Sequence, residues 1–332
     1  MKKLLSIVVA AFLAVGSLTA CSSAGAKGKD KIKIVTTIFP EYDWVMNVLG
    51  GNPAGAEVTM LLDNGADLHS FQPTATDIMK ISSCDLFVYV GGESDDWVED
   101  ALKEATNKDM IVINLLDVLG DKVKEEEVIE GMQGEDEDHD HEEGEDHDHE
   151  EGEIEYDEHV WLSLRNAQVL VQSISDAIQK IDAANAATYK KNSDAYIESL
   201  KSLDSDYKAV IDAASNKTIL FGDRFPFRYM VDDYGLTYFA AFAGCSAESE
   251  ASFETITFLS KKVDELKLPV VLTIEGKDHR IAETIVQNTA TKDQKILTLD
   301  SLQSASSADQ KNGTTYLSVM KNNLTVLTEA LK

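Results

Sequence analysis

Cysteine, proline and positive charge are all scarce in this chain. Its 332 residues include 3 cysteines and 5 prolines, and 30 basic side chains stand against 59 acidic ones. So few cysteines exclude a disulfide framework. A formal charge of −29 excludes nucleic acid as a partner and argues against adhesion to anionic lipid. Past the first twenty residues, no run is apolar enough to span a bilayer. Catalytic signatures are missing as well. There is no His-Glu-x-x-His, no Gly-x-Ser-x-Gly and no Gly-x-x-x-x-Gly-Lys-Ser/Thr. These absences speak against an extracellular zinc hydrolase and against ATP hydrolysis by this chain.

What is present begins with an address. Met1-Lys2-Lys3 precedes an apolar stretch, Leu4 to Leu18, that is too short for a spanning helix and suits a signal-peptide core. It ends in Leu18-Thr19-Ala20-Cys21, the pattern of a bacterial lipoprotein signal. The expectation is a signal peptide over 1–20, acylation of Cys21, and a flexible tether over 21–30. That puts the protein on the outer face of the cytoplasmic membrane.

The rest of the chain reads as α/β, with β-branched runs alternating with helical patterns. Its two ends echo each other. Ile32 to Ile38 leads to Phe39-Pro40 and a helix ending near Gly50; Lys217 to Phe221 leads to Phe225-Pro226 and a helix ending near Gly235. The strand Leu86 to Val90 corresponds to Val270 to Ile274, and the run Ile111 to Asp117 corresponds to Ile296 to Asp300. We expect two similar lobes of parallel-sheet units, 31–185 and 215–332, joined by a rigid helix over 186–214. Its apolar residues recur at three- and four-residue spacings. In such sheets ligands sit beyond the carboxyl ends of the strands, so a site in the cleft between the lobes draws on strand-end loops.

The densest chemistry is a tandem octad, Asp138 to Glu145 repeated as Asp146 to Glu153. It has almost no apolar content, so the segment 134–155 is expected to be disordered. His139, His141, His147 and His149, among carboxylates, suit zinc-like ions. Ordering a flexible loop costs entropy, so this tract is an accessory metal collector rather than the tight site.

Tight binding needs fixed ligands. His69 lies in Gly65-Ala66-Asp67-Leu68-His69-Ser70-Phe71-Gln72-Pro73, just past the apolar run Val58 to Leu62. His159 lies in Asp157-Glu158-His159-Val160-Trp161-Leu162-Ser163, where the tract returns to the fold. The two remaining cysteines, Cys84 and Cys245, read as small buried residues. These motifs, in this order around a His-rich tract, resemble the zinc- and manganese-specific solute-binding lipoproteins of bacterial ABC importers. The tract is typical of the zinc branch.

The resemblance implies that His69 and His159 are metal ligands, that Asp300 in Leu299-Asp300-Ser301-Leu302 is a carboxylate ligand, and that the metal sits between two lobes joined by one long helix. Glu275 ends a strand and is added as a supplement, with Asp223 next. One position departs from the family pattern. Arg224 stands where His or Glu is usual, and a guanidinium cannot ligate a cation. Arg224 is expected to pair with one of the neighbouring carboxylates. No catalytic residue is expected, and the protein is read as a non-enzymatic monomer. It would capture Zn2+, with Mn2+ as the alternative cargo, for an ABC permease and its cytoplasmic ATPase. A metal-buffering or adhesive surface lipoprotein without a transporter stays open as the rival. Histidine ligation predicts that affinity falls below about pH 6.

Overall fold

The computed structural model describes residues 31–65, 67–134, 155–246, 250–276 and 278–332. Among the described residues, eight strands form two four-stranded sheets. The first holds β1 (Lys33–Thr36), β2 (Glu57–Met60), β3 (Leu86–Tyr89) and β4 (Ile111–Asn114) in the order β2-β1-β3-β4. The second holds β5 (Thr218–Phe225), β6 (Thr237–Ala243), β7 (Val270–Thr273) and β8 (Lys295–Thr298) in the order β6-β5-β7-β8. All the pairings are parallel. The echo between the chain's two ends is therefore a repeated topology. Helices cover the sheets, which is why central strands such as Val270–Thr273 are buried throughout.

The first helix of each half starts at or just after its Phe-Pro pair: Phe39 and Pro40 open the first, and Phe225-Pro226 precede the second. Phe39–Leu49 stops at Gly50, and Arg228–Tyr234 stops at Gly235, whose left-handed backbone (φ 69°) ends the helix without strain. β5 departs from expectation. The sequence ends it at Phe221, but the strand runs on to Phe225 across a bulge between Phe221 and Arg224. Gly222 permits this, since a Cβ there would lie 2.5 Å from the Ala282 backbone.

The helical stretch between the halves is two helices, Leu164–Ile181 and Ala186–Ala213. The second, of 28 residues, is about 42 Å long. It is fastened to both halves. Asn192 donates to the Val48 carbonyl at 3.0 Å and Tyr196 to Asp43 at 3.3 Å, while Tyr207 donates to the Met320 carbonyl at 2.6 Å. One apolar cluster runs through Ile34 and Val88 of the first half, Tyr207 of the helix, and Phe221 and Leu272 of the second. Ile32–Lys332 accordingly forms one compact unit. Among the described residues no helix is long and apolar enough to cross a membrane.

Candidate metal site

The loop that leaves β2 and the segment leading into helix Leu164–Ile181 supply the two imidazoles. After β2, Asp67 caps a short 3-10 turn, Leu68–Ser70, by accepting from His69 N at 3.1 Å. Leu68 is fully buried and pins the turn. Fully burying such a side chain is worth about 1.5–3 kcal/mol. The His69 ring, 15% exposed, sets Nδ1 2.8 Å from Ser94 Oγ, in the turn after β3. His159 is fully buried and is bracketed by its own neighbour Asp157. One carboxylate oxygen accepts from His159 N at 2.8 Å and lies 3.1 Å from Nδ1.

The segment carrying His159 is tied down from several sides. Trp161 donates to the Ser301 carbonyl at 2.9 Å, Tyr316 donates to the Trp161 carbonyl at 2.6 Å, and Tyr229 donates to the Asp157 carbonyl at 2.7 Å. Gly244 gives the ring room. A Cβ there would stand 3.1 Å from the imidazole.

With both Nδ1 atoms engaged, the two Nε2 atoms face each other at 3.2 Å. An Asp157 carboxylate on Nδ1 fixes the His159 tautomer and leaves Nε2 with a lone pair. Two nitrogens bound to one tetrahedral zinc at about 2.0–2.1 Å stand about 3.3 Å apart. The pair is thus already at a bridging separation. Burial first, and then the nearby His159, push His69 down to about 3, against the opposing pull of Asp67. Protons therefore compete for His69 well below the pH 6 expected from the reference value.

A third donor joins them. One ring nitrogen of His69, one ring nitrogen of His159 and Cys245 Sγ lie within 4.8 Å of one another. Cys245 follows β6, and its backbone N donates to Glu126 Oε1 at 2.9 Å. Burial, and then Glu126, Asp157 and Glu158, push the thiol far above its ordinary range. Cys245 had read as a small buried residue. The available signal was its place just past a strand, the same criterion that picks out His69.

The remaining candidates lie elsewhere, and neither Asp300 nor Glu275 belongs to that cluster. Asp300, after β8, accepts from Leu302 N at 2.8 Å, and its backbone N donates to Asn323 at 3.0 Å. Burial and then the Glu275 charge raise it to about 6. Glu275 accepts from Ser301 N at 2.6 Å, Ser301 Oγ at 2.8 Å and Gln303 N at 2.9 Å. Its carboxylate thus holds the loop that carries Asp300. Asp223 accepts from Arg224 N at 2.9 Å and Ile274 N at 3.2 Å. With Asp223 and Glu275 engaged by backbone amides, Arg224 pairs not with them but with Asp67, at 2.6 Å. Burial pulls Asp67 up, but Arg224 reverses this and leaves it below its ordinary value. The ion pair joins β5 to the turn bearing His69.

Two cavities border His69. One, of about 770 Å³, reaches Asp223, Arg224 and Glu275. The other, of about 250 Å³, is walled by Glu93, Glu126, Glu155, Glu158 and Cys245. Beyond Glu158 lies a buried acid cluster. Glu41 and Asp95 are raised by burial, Asp95 to about 7. Cys21, His139, His141, His147 and His149 lie outside the described residues.

Two parallel sheets of like order, together with two imidazole nitrogens facing each other, define a two-lobed solute-binding fold with a metal-type site. Comparison with known proteins narrows this. Residues 34–330 match the ZnuA family, described as zinc-uptake complex component A, periplasmic, and the chain belongs to that family. That description is of a component of a zinc-uptake complex.

The high-affinity zinc uptake system protein ZnuA of Bacillus subtilis is 32% identical over 330 residues, covering 98% of this chain and 97% of that protein. Zinc-binding lipoprotein AdcA of Streptococcus pneumoniae is 32% identical over 328 residues, 98% of this chain but 60% of that protein. The chain thus spans about three fifths of the length of the AdcA relatives it matches. Among solved structures, the Zn(II)-bound ZnuA-like domain of S. pneumoniae AdcA superposes with a TM-score of 0.68 at 29% identity, covering 91% of this chain and 99% of that one.

Proposed function

We propose that this protein is an extracytoplasmic receptor that captures Zn2+ and delivers it to an ABC permease driven by a cytoplasmic ATPase. The observation that carries this reading is the pair of facing Nε2 atoms, 3.2 Å apart, each backed by a partner on Nδ1. The matched family and the names of the relatives point the same way. His69 and His159 are the primary ligands. Asp300 is the carboxylate proposed to reach the ion as the cleft adjusts, with Glu275 acting through the loop that holds it. An acyl group on Cys21 anchors the receptor near its permease, raising the effective concentration. His139, His141, His147 and His149 collect zinc loosely and pass it inward, past Glu155. Manganese is the secondary cargo, and the working form is a monomer.

The test is growth and radioactive-zinc uptake in cells lacking the chain under zinc limitation. The wild-type chain is expected to restore both, and His159→Ala to restore neither. Equal restoration by His159→Ala would overturn the reading.

A further inference from the structure

We propose that Cys245 is the third protein ligand, so that a thiolate joins the two imidazoles, ahead of the Asp300 carboxylate, in a shell suited to thiophilic ions. The proposal rests on the receptor reading above and adds the identity of a donor that sets metal preference. Its basis is geometric. Sγ lies within 4.8 Å of both histidine nitrogens. In a tetrahedral zinc shell, sulfur at about 2.3 Å and nitrogen at about 2.05 Å stand about 3.6 Å apart. Closing on an ion therefore takes a displacement of an ångström or so, within reach of a side-chain rotation.

The backbone around Cys245 is built to hold it there. Its N–H is anchored on Glu126, and Gly244 before it lets the chain pass against the His159 ring. The competing cation is turned away, because Arg224 is engaged by Asp67 at 2.6 Å.

A second observation points to the same place. Glu158 is 2% exposed, and its Oε2 makes no hydrogen bond among the described residues, standing 3.6 Å from His69 Nδ1. It lines the 250 Å³ cavity together with Glu93, Glu126, Glu155, His69 and Cys245. A buried acceptor without a donor is costly in a dry site, and a cation in that cavity would relieve it. Glu155 is where the His-rich tract rejoins the fold, so this acidic cavity is the approach by which an ion reaches the thiol. On coordination the S–H bond breaks, an S–metal bond forms, and the proton leaves to solvent. No electron is transferred. Soft thiolate favours zinc, cadmium or cuprous copper over manganese.

The test is titration of the full chain with Co2+ and Cd2+, read by ultraviolet and visible absorption, beside zinc affinity by competition. The wild-type chain is expected to develop a sulfur-to-metal charge-transfer band that saturates at one ion per chain. Cys21→Ser and Cys84→Ser should keep the band, and Cys245→Ser should lose it. Loss of an outer-shell partner costs roughly 10–100-fold in affinity, so Cys245→Ser should lower zinc affinity by at least about a hundredfold. Manganese should not displace zinc from the wild-type chain. Saturation of the wild-type chain without a charge-transfer band overturns the proposal, and that readout needs no variant to fold. If the band is absent but His69→Ala still abolishes zinc binding, only the thiolate assignment falls. If His69→Ala also binds like wild type, the receptor reading falls with it.

Discussion

The two halves of the molecule share a strand order but not a chemistry. Beyond β2 and β3 the first half offers His69 and the Ser94 hydroxyl that orients it. The second half offers Arg224 near the end of β5 and, beyond β6, β7 and β8, Cys245, Glu275 and Asp300. The repeat fixes where strand ends point, and point substitutions then decide what stands there. One half supplies a neutral nitrogen. The other supplies a cation locked to Asp67, a thiol at the histidines, and a carboxylate pair that organises its own loop. His159 belongs to neither repeat. It sits on the segment between them and faces both.

That asymmetry can be broken at graded cost. Replacing the central histidine should have the largest effect. His159→Ala is expected to weaken zinc binding on the order of a thousandfold, about 4 kcal/mol, in a competition titration. A loss under tenfold would mean that the second half alone holds the ion.

Glu275→Ala comes next. It leaves the Ser301 and Gln303 amides without their acceptor, at about 1–3 kcal/mol for a buried unsatisfied group. Urea denaturation should show the loss in the metal-free protein. An unchanged midpoint combined with lost zinc affinity would restore Glu275 as a direct ligand.

Asp67→Asn tests the link between the halves. The turn keeps its cap, but Arg224 loses its counter-charge beside the site. Zinc affinity should fall about tenfold, in line with the loss of an outer-shell partner. No change would mean that the ion pair only closes the surface.

The smallest effect is on stability against pH. Asp95 and Asp43 are raised by burial to about 7 and about 6. A carboxyl raised in the folded state stabilises fully below its unfolded value near 3.9 and loses that contribution as pH rises through its folded value. The depressed His69 acts in the opposite sense and costs stability below about pH 6.5. With Asp95, Asp43, Asp300 and Glu41 all raised against one lowered histidine, the metal-free chain is expected to be more stable at about pH 5.5 than at about pH 7.5. Asp95→Asn should flatten that slope in denaturation midpoints, and an unaltered slope would count against a protonated Asp95.

Much of this was legible in the sequence, and the rest was hidden for identifiable reasons. Strand runs, the Phe-Pro pairs and the glycine stops mark the two sheets, because β-branched periodicity and helix termination are local properties. The apolar stripe through Tyr189, Tyr196 and Tyr207 marks the long helix for the same reason. His69 and His159 stand out because their motifs are compact and follow a strand or a sharp change of composition. Gly222 misled, since a glycine past an apolar run reads as an end, whereas here it carries β5 through a bulge against Ala282. The Arg224 partner was hidden by distance, with Asp67 lying 157 positions away. Cys245 was hidden because one cysteine carries no spacing pattern. Only the folded chain brings it beside two imidazoles.

The most direct test of the receptor assignment is calorimetric zinc titration of the full chain, of the same chain lacking 134–155, and of His69→Ala. One tight site that survives removal of the tract and disappears in His69→Ala is the expected result. Tight binding that vanishes with the tract and is indifferent to His69 would contradict it, and would make the protein a metal buffer rather than a receptor.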